Sequence, residues 1–181
     1  YGGFTVPPSF VCMRDLIDLY PRKGMAIIES RNRYNLGDAE YIADVQFMGA
    51  PPNCPEMGAL VEFMTNLTET DKTAQADFLG TIGQWCDANE RITKISAAVI
   101  GACTGSARSK PIMLEDLMSN QHLSLSPHAY GIYIPSAEIL SRTKYAWFAN
   151  LSKEQVLTSN TIIGKYLMVA NDPEKKTGKD A

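Results

Sequence analysis

The sequence predicts a mainly α fold, a compact helical domain of about seven helices with extended N-terminal and C-terminal arms. Three observations lead there. Apolar residues recur at helical spacing in several stretches, as in Leu60, Val61, Phe63, Met64 and Leu67. Helix-start signals accompany them, most plainly Ser152-Lys153-Glu154-Gln155, a capping-box pattern. Strand-like alternation of apolar and polar residues is scarce.

In chain order, residues 1–12 carry Gly2, Gly3, Pro7 and Pro8 among Phe4, Val6, Phe10 and Val11, which reads as an extended apolar arm. Met13–Tyr20 puts Leu16, Ile17 and Tyr20 on one helical face, and Pro21 ends it. Arg22-Lys23-Gly24 is a basic turn before the short apolar run Met25–Ile28, and Arg31 and Arg33 follow as a second candidate phosphate contact. Asp38–Met48 reads as a helix with Ile42, Val45 and Phe47 inward, closed by Gly49 and a proline-rich connector. Helices are expected over 56–67, and from an N-cap at Thr70 to about Ala88 with Phe78, Leu79, Ile82 and Trp85 inward. The small-residue run Ile95–Ala102 ends at the Gly-Ser turn, and Pro111 starts a helix through Asn120. Residues 121–135 read as a loop. Ile139 and Leu140 lead to the aromatic knot Tyr145-Ala146-Trp147-Phe148, and a last helix runs from Ser152 to about Ala170. This divides the chain into an arm over 1–12, a helical core over 13–170 and a flexible charged tail over 171–181 in which Lys175, Lys176 and Lys179 could meet nucleic acid.

Composition narrows the function. At 181 residues and 45% hydrophobic, the chain can build a real core. No apolar run reaches the ~18 residues of a membrane span, and Tyr1-Gly2-Gly3-Phe4 lacks the basic start of a signal peptide. A net charge of -3 argues against bulk attraction to nucleic acid but leaves room for a local basic groove. Cys12, Cys54, Cys86 and Cys103 are widely spaced and read as reduced, mostly buried thiols, with no disulfide frame or metal site. No cofactor is expected.

The candidate site lies between Ile95 and Leu151. Thr104-Gly105-Ser106-Ala107-Arg108-Ser109-Lys110 combines a free-turning glycine, hydroxyls, amides and two cations, the elements of an anion nest. Further on, Arg142 and Lys144 precede the aromatic knot. Cation, small residue and aromatic occur together twice, as a phosphate-backbone groove with stacking walls requires. A helix-end loop beside a buried aromatic helix is the alternative.

The strings AAVIGACTGSARS, SPHAYG and TKYAWFANL, with GGFTVPPSF at the start, resemble the coat proteins of flexuous filamentous plant viruses. The resemblance implies an alanine-rich helix ending near Cys103-Thr104, a virion protein of the host cytoplasm, and self-association into a helical homo-polymer around single-stranded RNA. On that reading Ser106, Arg108, Lys110, Arg142, Lys144 and Asn150 bind RNA, and Phe4, Val6 and Phe10 contact the next subunit. The family has an aspartate where Ala149 or Asn150 stands here, so whatever ion pair it makes is replaced or absent. Two other readings remain. One is a soluble helical protein–protein interaction module without nucleic acid. The other is a small helical enzyme using a Cys103–His128 pair, against which burial of the thiol counts.

Overall fold

The computed structural model describes residues 1–32, 38–67, 75–105 and 110–171. The chain is α/β, not mainly helical: helix accounts for 39% and strand for 19%, in six α-helices and two sheets among the described residues.

The main sheet has four strands, β1 (Gly3–Phe4), β3 (Ala26–Arg31), β4 (Tyr41–Ala50) and β5 (Thr93–Ile95), in the order β1-β4-β3-β5. Neighbours are antiparallel except β3 and β5, which run parallel. A parallel return needs a long crossover, and α1 (Pro55–Asn66) and α2 (Gln75–Ala88) lie on it. A second, two-stranded ribbon pairs β2 (Phe10–Cys12) with β6 (Gly131–Tyr133). The remaining helices are α3 (Leu114–Leu117), α4 (Ser136–Ser141), α5 (Lys153–Thr158) and α6 (Ile162–Ala170).

The expected helix over 38–48 is strand β4, and here the periodicity misled. Ile42 and Val45 fit helical spacing, but β4 is buried on both faces, so the polar alternation that marks a strand is missing. On one face Met25, Ile27, Ala43 and Val45 pack with Leu60 of α1 and Ile82 and Cys86 of α2. On the other, Ile28 and Phe47 pack with Phe10, Ala98, Ile100 and Cys103. A bulge makes this possible. Ile27 pairs with Met48 but Ile28 with Asp44, so Val45, Gln46 and Phe47 bow out of the ladder. Simple alternation would put Phe47 on the face of Ala43 and Val45; the bulge turns it to the opposite one. Asp44 braces the irregularity, its Oδ1 accepting the Gln46 N–H at 3.0 Å.

Phe47 is fully buried and meets Phe10 and Tyr133 edge-on, each with ring centroids 5.4 Å apart. It thereby ties the main sheet to the ribbon. Beyond the ribbon a third cluster joins Ile132 to Leu114 and Leu117 of α3, Ile139 of α4, Tyr145, Phe148, and Ile162 and Ile163 of α6.

Other departures have local causes. Met13–Tyr20 yields only a 3₁₀ turn over Ile17–Leu19, since Pro21 follows at once. The expected alanine-rich helix is one 3₁₀ turn, Ala97–Ile100, capped by the Ser96 hydroxyl and stopped at Gly101, where φ is 62°. A side chain at Gly101 would lie 2.7 Å from the Gly131 carbonyl, so the ribbon's close approach also excludes one. The loop expected over 121–135 contains β6. The Ser152–Gln155 capping box forms as read, but its helix ends at Thr158 and a second start, capped by Thr161, opens α6. α1 and α2 stand close to where the apolar spacing placed them; the proposed N-cap Thr70 lies outside the described residues. α2 sits tightly on β4, because a Cβ at Gly83 would come within 2.8 Å of the Ala43 carbonyl. The Asp87 carboxylate accepts the Ala43 N–H at 3.1 Å.

Residues 1–12 are extended, as expected, but as strands of the body. β1 pairs with β4, and Phe10 is only 8% exposed. No helix among the described residues is long and apolar enough to cross a membrane.

Truncating the hub should unfold the protein more readily than any surface change. Phe47→Ala is expected to cost about 3–5 kcal/mol in urea denaturation. In a double-mutant cycle with Phe10→Ala, about 0.5–1.5 kcal/mol should appear as coupling; strict additivity would deny the edge-to-face contact.

Candidate functional site

The loop carrying the proposed anion nest is closed at its base by a short antiparallel bridge between Cys103 and Pro111. The Ile112 N–H donates to the Ala102 carbonyl at 2.9 Å, and the Thr104 N–H to the Lys110 carbonyl at 3.0 Å. Gly105 takes φ 78°, the left-handed turn that a glycine there permits. Lys110 is exposed at the base. Ser106 and Arg108 lie outside the described residues, as do Arg33 and Lys175, Lys176 and Lys179 of the tail.

Arg142 does not stand free for a phosphate. Its guanidinium bonds Glu115 of α3 at 2.5 Å and Glu138 of α4 at 3.0 Å, so one cation lies between two carboxylates. The Glu138 partner was legible as a Glu–Arg pair four residues apart on a helix. Glu115, 27 residues away in sequence, was not. Arg142 thus staples α3 to α4, over the cluster that holds Tyr145 and Phe148.

The aromatic knot divides. Tyr145 and Phe148 are buried and form wall, whereas Trp147 is 49% exposed. It belongs to the 3₁₀ turn Ala146–Asn150, which also carries the exposed Asn150, and exposed Lys144 lies just before it. The Lys144 ammonium stands 5.1 Å from the centre of the Tyr145 ring, a cation–π contact that leaves its hydrogen-bonding capacity open. Asn150 reaches back to the Ala146 carbonyl at 3.5 Å. Trp147 and Asn150 therefore share one turn that Lys144 flanks, and Arg142 is engaged with carboxylates beside it.

Cys103 is wholly buried and its side chain is hydrogen-bonded to Tyr41, whose hydroxyl is held well above its ordinary ionisation range, first by burial and then by Cys103 and Glu40. His128 is exposed, so the two members of the imagined nucleophile pair lie in different environments. Burial pushes the Cys86 thiol up to about 12 and, with the Glu56 hydrogen bond, raises the Cys54 thiol. Cys12 alone among the four cysteines is exposed. No group of three or more His, Cys, Asp or Glu among the described residues could hold a metal ion.

Phe4, Val6 and Phe10 separate as well. Phe10 is core, Phe4 is half-buried against Gly49, and Val6 is exposed. Phe4 belongs instead to a groove of about 720 Å³ along β1, with Tyr1, Met48, Cys54, Met57 and Val61 among its walls. None of its lining residues has an ionisable acid or base other than the Cys54 thiol and the Tyr1 phenol and amine. Sequence reading could not find this groove, because it forms only when β1 docks beside the start of α1. No family model matches this chain, and no curated protein and no solved structure matches it.

Arg142→Ala should lower stability by on the order of 0.5–1 kcal/mol, since the pair is partly exposed, and should leave any RNA affinity unchanged. For Cys86 the folded value lies above the ordinary 9.0, so its contribution is complete below about pH 9 and fades as pH rises toward 12. Urea unfolding of the native chain and Cys86→Ala should show their stability difference constant below about pH 9 and shrinking as pH rises above it.

Proposed function

We propose that this chain is a non-catalytic structural protein that joins to further copies of itself through the groove beside β1. The observation that carries this is the groove itself: a mostly apolar hollow without a carboxylate, lysine or arginine in its lining, at the open edge of the main sheet, beside an exposed Tyr1 and with Val61 56% exposed on its α1 side. Contiguous apolar surface of this kind, next to an unpaired strand edge, favours association with another chain. A second copy suits it because the stretch that walls the groove also offers what could fill one, the exposed side chains of Tyr1 and Val6. A two-fold contact in which each copy's N-terminal stretch enters the other's groove covers the same patch on both sides.

A second reading, single-stranded RNA held by its phosphate backbone, is favoured by one observation. Trp147 presents aromatic surface on a turn shared with Asn150 and flanked by Lys144, so a base can stack where a cation meets the adjoining phosphate. Arg142, engaged with Glu115 and Glu138, plays no part in this reading. Self-association and RNA binding together are the properties that the likeness to flexuous filamentous virus coat proteins implies; self-association alone leaves an interaction module.

Sedimentation equilibrium distinguishes these outcomes. The chain should associate in the micromolar range, and Val61→Glu, on an exposed helix position, should weaken association about tenfold or more without unfolding it. A monomer at every accessible concentration would sink the proposal. For RNA, anisotropy with an unstructured oligouridylate should show Trp147→Ala weakening binding by about 1–3 kcal/mol. Lys144→Ala should reduce the salt slope by about one. Binding that ignores both changes removes the RNA reading and leaves the interaction module.

A further inference from the structure

We infer that the cleft between residues 120–123 and α6 is a binding site for a small amphipathic carboxylate, an aliphatic or aryl chain ending in one carboxyl group. The cleft has a volume of about 360 Å³, within the range of small-molecule sites. Its floor is Ile162, which belongs to the core, and its flanks are Leu123, Tyr166 and Val169. The charged or titratable groups of its lining are Lys165, His122 and the Tyr166 phenol, and no carboxylate lines it. The polarity is therefore one-sided: an apolar trough with bases and no acid in its walls.

Two hydrogen bonds hold the cleft in shape. The Tyr166 hydroxyl donates to the Leu123 carbonyl at 3.2 Å, and the Lys165 ammonium to the Asn120 carbonyl at 2.8 Å. Both run between residues 43 or 45 apart in sequence and fasten the irregular segment to a helix. A site fastened this way needs little ordering when a ligand enters. Lys165 spends one of its three N–H donors on Asn120, leaving two for a ligand carboxylate, while His122 is exposed beside it. A neutral apolar molecule would fill the trough but leave the ammonium unmatched. An apolar cation would meet Lys165 with like charge. A carboxylate with an apolar chain satisfies both parts.

Titration of the isotope-labelled chain with octanoate, octanol and octylammonium, followed by amide and methyl NMR, tests this. Octanoate should move the Leu123, Ile162 and Val169 signals saturably, with octanol at least about tenfold weaker and octylammonium weaker still. Lys165→Gln should weaken octanoate about tenfold while Lys165→Arg largely retains it. Val169→Trp, at an exposed position on the rim, should block octanoate with the fold intact. Equal affinity for octanoate and octanol overturns the carboxylate assignment. Signals that octanoate leaves unmoved overturn the site, and the same holds if they move only with protein concentration, because the cleft is then covered by a second copy.

Discussion

The ring of Phe47 is the point on which the layers of this molecule meet. It stands in the middle of a strand whose two faces are both buried, and it contacts one aromatic from each strand of the ribbon. With Ile28 of β3 it anchors the cluster that joins the main sheet to the ribbon. Dispersion and edge-to-face geometry at this contact are individually modest, but a fully buried phenyl group also carries a large transfer free energy. Two consequences follow. The N-terminal stretch enters the core through Phe10, and the bulge in β4 becomes a requirement, because only the bowed segment aims residue 47 at the ribbon.

Close backbone approach does the rest of the placing. Gly83 lets α2 settle on the Ala43 carbonyl, and Asp87 at the other end of that contact accepts the Ala43 N–H. Gly101 allows the 3₁₀ turn to end against Gly131 of the ribbon. At each position an added Cβ would meet a backbone carbonyl inside van der Waals contact, at 2.8 Å and 2.7 Å, and close-packed interiors do not absorb the resulting shift cheaply. The surface features are by-products of these contacts. The groove along β1 exists because a two-residue edge strand leaves much of the space beside α1 uncovered.

Electrostatics then sort the cationic residues into structural and available ones. Arg142 is balanced by two carboxylates and holds helices together. Lys165 is partly balanced by a carbonyl. Lys144 is placed over an aromatic ring, which attracts its charge without neutralising it. The surface available to an anion is therefore narrower than a count of lysines and arginines suggests, in keeping with a net charge of -3.

Local information in the sequence determined the parts that depend on local physics. The capping box at Ser152, a helix beginning close to Glu56, the extended character of residues 1–12 and a turn at Gly105 all follow from neighbours within about four residues. Tertiary structure alone decided that Asp38–Met48 is a strand, that Arg142 belongs to Glu115, and that Phe10 is core while Trp147 is surface. A strand covered on both sides loses the alternation by which strands are read, so its apolar spacing can imitate a helix. An ion pair between distant elements leaves no trace in spacing. Burial belongs to the assembled layers, and the same aromatic residue becomes wall or contact according to what packs over it.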